Sequence, residues 1–202
     1  MSMAKEIIFA TGNSGKIATL TSHFAIHGLT AEIVPRSLEL IEPQASTATE
    51  VAIVKARQAY DQLQRPVLVD DSSFHIKVLG GFPGPYIKYM LETVGVEGIV
   101  KFMDGKSDRR AYFMSSLVFM DKKGQSHVFE GKDAVGTIVE AVDDFDHPEA
   151  WSDLWKVFMP ANSNKTYSRM SREELRGHRK NKQDNNAYNK FTEWLKNNED
   201  TY

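Results

Sequence analysis

Two short stretches of the sequence carry residues that could handle a charged phosphate group. The first, ATGNSGK at residues 10–16, follows an apolar run that is typical of a buried strand. Strand, glycine turn and helix is a geometry that presents backbone N–H groups to an anion, and Lys16 adds a positive charge. The P-loop pattern and the G-x-G-x-x-G fingerprint both fail on spacing, so an ordinary strand–helix turn with a solvated lysine remains the alternative.

The second stretch, VLVDDSS at residues 67–73, predicts a buried strand that ends in the adjacent carboxylates Asp70 and Asp71. Side chains alternate along a strand, so the two aspartates point to opposite faces and need not share one role. One could bind Mg²⁺ while the other takes a proton from water. An acidic pair that caps the next segment would explain the same residues.

Three further features have suitable chemistry. Glu42 offers a hard oxygen for Mg²⁺, and Lys55 offers a point charge for phosphate from a helix whose start is marked by a Thr47–Glu50 capping box. Single residues of these types are more often simply solvated. The basic run RGHRKNK at residues 176–182 could grip phosphate, a base edge or nucleic acid, or could form a solvated face.

The elements that would position these residues follow from hydrophobic periodicity and turn signals. Strands are predicted at residues 6–10, 31–35, 66–71 and 111–121, with two more within 126–142. Helices are predicted after the first glycine turn, from Thr47 to about Gln64, over 87–94 and 95–103, and around Tyr188 to Leu195, while 143–182 is predicted to be irregular. Parallel crossovers early and antiparallel hairpins later indicate an α/β protein with a mixed sheet.

Composition excludes several classes of function. The chain has 202 residues, 41% hydrophobic and 26% charged, which is typical of a soluble globular protein. A net charge of −2 argues against nucleic-acid binding by a basic surface, and the lack of cysteine excludes disulfides and thiolate chemistry. No apolar signal segment and no run of about 18 apolar residues is seen, so we expect a cytoplasmic protein without a membrane span.

Taken in order and spacing, the motifs resemble the inosine triphosphate pyrophosphatase family over about residues 6–142. The resemblance is carried by FATGNSGK, by Glu42 and Lys55 around the capped helix, and by VLVDDSS, LGGFPGPYIK and DRRAYF. It implies a two-lobed α/β fold with a long central mixed sheet flanked by helices and an active-site cleft between the lobes, in a single domain over residues 1–202. It also implies a homodimer that uses Mg²⁺ to hydrolyse non-standard purine nucleoside triphosphates (ITP, dITP, XTP) to the monophosphate and pyrophosphate, as pool sanitation.

The resemblance also implies roles for particular residues. Triphosphate binding is assigned to the glycine turn, with Thr11, Gly12, Asn13 and Lys16, and to Lys55. Metal binding is assigned to Glu42, Asp70 and Asp71. Asp71 is in addition the carboxylate that activates water, and Ser72 is placed where it could touch the nucleotide.

The last third of the chain departs from the family pattern, and this leaves the preferred base open. The aromatic–Gly–aromatic–Asp–Pro segment of the family corresponds here to EAWSDLWK at residues 149–156. Trp151 could stack on a base and Asp153 could accept from it, although tryptophans in this position could equally pack in the core. His178 and Arg179 follow Gly177 where the family has Ser-His-Arg, and they are the candidates for contacting the purine six-position oxygen.

Three other functions stay open from the sequence. The chain could be a pyrophosphatase with a shifted nucleotide substrate, or a nucleotide-binding regulator with weak turnover. It could also be an RNA-binding module that uses Arg172–Lys182, although the near-neutral net charge counts against that hypothesis.

Overall fold

The computed structural model describes residues 5–180 and 186–202, with only the backbone of Arg179 and Lys180. This described chain divides into two compact units. The first comprises residues 5–72, 115–131 and 186–202, and the second comprises residues 73–114 and 132–180. None of the helices in these ranges combines the length and the apolar character needed to span a bilayer.

Strands and helices alternate over residues 6–76. The helices are α1 (Ser14–His27), α2 (Ala48–Leu63), α3 (Ile87–Thr93), α4 (Gly95–Phe102), α5 (Arg172–Lys180) and α6 (Ala187–Asn197). The strands are β1 (Glu6–Phe9), β2 (Glu32–Pro35), β3 (Val67–Ile76), β4 (Pro83–Gly84), β5 (Arg110–Met120), β6 (Ser126–Ile138) and β7 (Phe158–Pro160).

The first unit has helices on both faces of a sheet in the order β2-β1-β3-β5-β6, in which β1 pairs in parallel with β2 and β3. Alternation along the strands divides the core between the two faces. On one face Phe9 and Leu68 pack with side chains of α1 and α6, and on the other Val67 and Val69 pack with the alanines of α2. This arrangement decides which helix each aspartate of β3 faces.

The second unit is built on antiparallel pairs. The short β4 is formed by the last two residues of GGFPG, in which Gly81 has a φ of 92°, and it pairs with the end of β3 so that Phe74 lies opposite Gly84. β5, β6 and β7 lie in that order, with Gly136 of β6 opposite Pro160 of β7. Aromatic side chains of these strands and apolar side chains of α3 to α5 form the core of this unit.

The α/β class and the mixed sheet are confirmed, but three element assignments predicted from sequence are wrong. β3 does not end at Asp71 but continues to Ile76, so both aspartates lie inside a strand. The two strands expected within 126–142 are the single strand β6, which continues through Gly131. The region 143–182 is not irregular throughout, because it contains β7 and α5.

Candidate active site

The glycine turn joins β1 to α1 and is held by the side chain of Asn13. Its Oδ1 accepts from the N–H of Gly15 at 2.9 Å and of Lys16 at 3.1 Å, as an N-cap does. Thr11 Oγ1 accepts from the N–H of Asn13 at 3.1 Å. Three N–H groups of the predicted phosphate cradle are therefore bonded within the turn in this structure.

Gly12 stands at the open part of this turn. A Cβ atom placed there would meet only Ser37, with Oγ at 3.6 Å, which is an ordinary van der Waals distance. Packing within the protein therefore does not require glycine at this position. The close approach of another molecule to the backbone would require it.

Asp70 lies on the face of β3 that carries Leu68, and its side chain is only 1% exposed. Lys16 Nζ donates to the Asp70 carbonyl oxygen at 2.9 Å and lies 3.6 Å from its Oδ2. The Tyr188 hydroxyl of α6 donates to the same Oδ2 in a short contact. Ser72 Oγ donates to Oδ1 at 3.4 Å, so in this structure Ser72 contacts a carboxylate.

Asp71 lies on the opposite face of β3, towards α2. Lys55 Nζ lies 3.0 Å from Asp71 Oδ1 and 2.7 Å from Glu42 Oε1, so it links the two carboxylates. The side chains of Lys55 and Asp71 are 12% and 13% exposed, whereas that of Glu42 is 54% exposed. The structure therefore brings Glu42, Lys55 and Asp71 together, and it places Lys16 with Asp70 in the same unit.

Burial and charge act in opposite directions on the Lys55–Asp71 pair. Burial raises the pKa of Asp71 and outweighs the effect of Lys55 and Lys16, which lower it. Burial lowers the pKa of Lys55, but Asp71 and Glu42 outweigh this and leave that pKa raised. A carboxylate with a raised pKa is a better proton acceptor in its ionised form than an ordinary surface aspartate.

The loop that carries Glu42 is fastened to α2 by Gln58, one helical turn after Lys55. The amide of Gln58 donates through Nε2 to the Ile41 carbonyl at 2.9 Å and accepts through Oε1 from the Ile41 N–H at 2.9 Å. These two hydrogen bonds fix the backbone of Ile41, the residue before Glu42. α2 thus positions both members of the Lys55–Glu42 ion pair.

The chemistry of the donors can be tested against Mg²⁺. Glu42, Asp70 and Asp71 offer carboxylate oxygens, which are the hard ligands that Mg²⁺ prefers. Within the described ranges, no group of three or more acidic or histidine side chains is arranged to hold an ion by itself. Mg²⁺ commonly binds through one or two carboxylates together with substrate phosphates, so the chemistry of these oxygens fits an ion that arrives with a triphosphate. The three carboxylates do not form one cluster, because Asp70 lies on the face of β3 opposite to Asp71 and Glu42.

The residues predicted to recognise the base lie in the second unit, around a row of aromatic rings. The Trp151 and Trp155 rings are 6.4 Å apart, Trp155 and Tyr167 are 5.5 Å apart, and Tyr167 and His178 are 6.2 Å apart. Trp151 is 49% exposed, whereas Trp155 is 3% exposed and belongs to the core. Asp153 is exposed in a short 3₁₀ turn.

Arg179, the other predicted base contact, belongs to α5 by its backbone. Its side chain lies outside the described residues. The pairing of His178 with Arg179 at a base therefore stays a prediction.

Two residues with contacts to the site were not singled out from the sequence. Tyr188 was predicted only as part of the apolar face of the last helix, and its hydroxyl reaches Asp70 across 118 positions. Gln58 lies three positions after Lys55, on the same side of α2. That spacing was the available signal for Gln58, whereas none in the sequence pointed to Tyr188.

Comparison with known proteins gives a consistent set of relatives. A family model described as the Ham1 family matches residues 7–194. The dITP/XTP pyrophosphatase of Methanopyrus kandleri is 33% identical over 195 residues, covering 96% of this chain and 97% of that protein. The inosine triphosphate pyrophosphatase of Kluyveromyces lactis is 34% identical over 173 residues, covering 84% of this chain and 86% of that protein.

Solved structures show the same fold. A Ham1 protein from Coxiella burnetii matches with a TM-score of 0.77 at 23% identity, covering 96% of this chain and 99% of that one. The Ham1 protein of Staphylococcus aureus matches with a TM-score of 0.75 at 24% identity, with the same coverage.

Proposed function

The chain belongs to the Ham1 family, as its motifs predicted, and from that premise we propose that it hydrolyses non-standard purine nucleoside triphosphates. The products are the nucleoside monophosphate and pyrophosphate, and the role is removal of such nucleotides from the precursor pool. Relatives named dITP/XTP pyrophosphatase and inosine triphosphate pyrophosphatase, each over 80% of this chain, support this substrate class.

The observation that carries the proposal is the grouping of cations and carboxylates in the first unit. Lys16 and Lys55 lie within 3.6 Å and 3.0 Å of Asp70 and Asp71 respectively, which are neighbours on β3. A triphosphate carries about four negative charges, which repel an attacking hydroxide unless cations offset them. Two lysines at one strand supply such cations, and the carboxylates supply a proton acceptor.

In the proposed reaction Asp71 is the general base. Its carboxylate takes a proton from a water molecule as the water oxygen forms a bond to the α-phosphorus. The bond from that phosphorus to the α,β-bridging oxygen breaks, and its electron pair leaves with pyrophosphate. Lys16 and Lys55 bind phosphate oxygens and offset the charge that develops on the leaving group.

Mg²⁺ is part of the proposal, with Glu42, Asp70 and Asp71 as the residues that would hold it. When bound, the ion neutralises phosphate charge and stabilises the pyrophosphate that leaves. Asp70 is buried against α1 and α6, and Asp71 is buried against α2, so the protein fixes both carboxylates before any ligand arrives.

The same premise extends the proposal to a homodimer that acts in the cytoplasm on free nucleotides rather than on nucleic acid. The net charge of −2 argues against nucleic-acid binding by a basic surface. Light scattering coupled to gel filtration measures the subunit number directly, and a monomer at assay concentrations would remove that part of the proposal.

The deciding experiment is a panel of purine and pyrimidine NTPs and dNTPs with pyrophosphate detection, run with Mg²⁺ and with EDTA. We expect Mg²⁺-dependent pyrophosphate release that is greatest for ITP, dITP and XTP. A preference for a different nucleotide would indicate a shifted substrate, for which the departures around Trp151 and Gly177 are the physical basis. Triphosphate binding without pyrophosphate release would instead support a nucleotide-binding regulator.

A further inference from the structure

Tyr188 is a buried tyrosine whose polar end lies at the candidate metal carboxylate. It lies in the first turn of α6 and is 4% exposed. Its hydroxyl donates to Asp70 Oδ2 in a short contact between two buried groups. A buried tyrosine hydroxyl usually finds a hydrogen-bond acceptor, and any polar group could serve. The acceptor of Tyr188 is a carboxylate that is proposed to bind Mg²⁺.

Residues of α1 and of the start of α6 restrict the ring of Tyr188. Asn186 caps α6 by accepting from the N–H of Asn189 at 2.7 Å, and its Nδ2 donates to His23 Nε2 at 3.3 Å. The His23 ring lies 5.5 Å from the Tyr188 ring, and His23 Nδ1 lies 2.9 Å from the Thr19 carbonyl oxygen. The cap and the histidine together leave the phenol little freedom to turn away from Asp70.

The two oxygens of Asp70 have different partners. Oδ2 has Tyr188 as a hydrogen-bond donor and Lys16 Nζ at 3.6 Å, whereas Oδ1 has the longer contact from Ser72, at 3.4 Å. A buried carboxylate needs donors, because an ionised group without them is strongly disfavoured in the interior. Tyr188 supplies one without adding a charge, and this lessens the need for Lys16 to stay with Asp70.

We propose that Tyr188 is a positioning residue that fixes the Asp70 carboxylate through Oδ2, so that Asp70 would be oriented to hold the metal and Lys16 would be left to the triphosphate. The inference rests on the proposed function, in which Asp70 is a metal ligand and Lys16 binds phosphate. It gives α6 a part in the active site, although α6 lies outside the motifs in the first half of the chain.

The test uses Tyr188→Phe, which removes one oxygen and keeps the ring, with Tyr60→Phe as a matched control. Tyr60 lies in the same unit, and its hydroxyl makes only a 3.5 Å contact with the Lys122 carbonyl. The probe is Mn²⁺ titrated by electron paramagnetic resonance in the presence of α,β-methylene-ITP, which cannot release pyrophosphate. Steady-state rates with ITP at several Mg²⁺ concentrations accompany the titration.

We expect Tyr188→Phe to weaken Mn²⁺ binding by about tenfold to a hundredfold, the range for one hydrogen bond to a charged group. The Mg²⁺ concentration needed for half-maximal rate should rise in parallel, with kcat at saturating Mg²⁺ changing less. In an Asp70→Asn background the same substitution should change Mn²⁺ affinity no further, because its effect passes through Asp70. That double variant has no carboxylate at position 70 that needs Tyr188 as a donor, so it also serves if Tyr188→Phe alone is too unstable to measure.

Equal Mn²⁺ affinity in wild type and Tyr188→Phe would overturn the inference. So would an equal loss in the Asp70→Asn background, since Tyr188 would then act through general stability. The proposed function fails by a different result, namely the absence of pyrophosphate release by the wild-type protein from every nucleotide in the panel.

Discussion

Lys55 Nζ lies 3.0 Å from Asp71 Oδ1, and the two side chains are 12% and 13% exposed. This pair joins α2 to β3 and sets the charge at the proposed general base. Lys55 balances the negative charge of Asp71 while no substrate is bound. A triphosphate that binds Lys55 would compete with Asp71 for the ammonium group. Substrate binding and release of the base would thus be coupled through one lysine.

The first prediction concerns Asp71. Asp71→Asn keeps the shape of the side chain but removes the proton acceptor, so we expect pyrophosphate release to fall by about 10²–10⁴-fold. Nucleotide binding, measured by isothermal titration calorimetry, should remain detectable because Lys16 and Lys55 are retained. Asp61→Asn, on the exposed side of α2, is the control and should keep the wild-type rate. Turnover close to wild type in Asp71→Asn would remove this residue from the mechanism.

The second prediction concerns Lys16, whose side chain is 24% exposed. Lys16→Ala removes a charge that the proposal places on the triphosphate, and a hydrogen bond to a charged group contributes about 1.5–3 kcal/mol. We therefore expect KM for ITP to rise about tenfold to a hundredfold. Lys101→Ala removes an exposed lysine of α4 and should leave KM unchanged. Kinetic constants of Lys16→Ala that match the wild type would refute the phosphate cradle.

Local signals in the sequence were sufficient for the elements that begin the site. The capping box at Thr47 and Glu50 forms as predicted and starts α2 in the register that carries Lys55. Alternation along β3 correctly sets Asp70 and Asp71 on opposite faces, since one contacts Lys16 and the other Lys55.

What could not be predicted depends on partners that are distant in sequence. β3 continues past its aspartates because its backbone pairs with β5 and with β4, where Phe74 lies opposite Gly84, although the polar stretch by itself resembles a strand end. Tyr188 looks like one more apolar residue of an amphipathic helix until the fold places its hydroxyl at Asp70. Hydrophobic periodicity indicates which face of an element is buried. It carries no information about which residues pack against that face.

The third prediction concerns the loop of Glu42. Gln58→Ala removes both bonds to Ile41, each contributing about 0.5–1.5 kcal/mol, and so loosens the residue before Glu42. We expect faster hydrogen–deuterium exchange at the Ile41 amide and a higher Mg²⁺ requirement for turnover. Gln62→Ala is the matched control, because Gln62 makes a single 3.3 Å contact to the Glu39 carbonyl. Unchanged exchange at Ile41 would show that Gln58 does not fasten the loop.

The fourth prediction concerns pH and His23. Burial lowers the pKa of His23, and it outweighs the opposing effect of the Thr19 carbonyl, while His27 lowers that pKa further. The unfolded chain therefore takes up a proton near pH 6.5 that the folded chain does not, so the free energy of unfolding falls as pH drops below about 6.5. The loss is complete once the pH is below the folded-state pKa.

Urea denaturation of the wild type and of His23→Gln between pH 7.5 and pH 5 measures this dependence. The variant should lose less stability on acidification than the wild type, whatever its stability at pH 7.5. Parallel curves for the two proteins would exclude His23 as a source of acid sensitivity.

The fifth prediction compares two glycines that the sequence does not distinguish. A Cβ atom at Gly136 would lie 2.2 Å from the Met159 carbonyl oxygen and 2.8 Å from Pro160 Cα, both of them backbone atoms of β7. Gly136→Ala must therefore displace β7, and overpacking of this kind costs about 1–3 kcal/mol.

A Cβ at Gly177 in α5 would meet nothing within 4 Å, and alanine favours a helix over glycine by about 1 kcal/mol. Thermal unfolding should show a lower Tm for Gly136→Ala and an equal or higher one for Gly177→Ala, since about 1 kcal/mol shifts Tm by roughly 2–4 °C at this chain length. The opposite order would mean that β7 does not pair with β6 at Gly136 in solution.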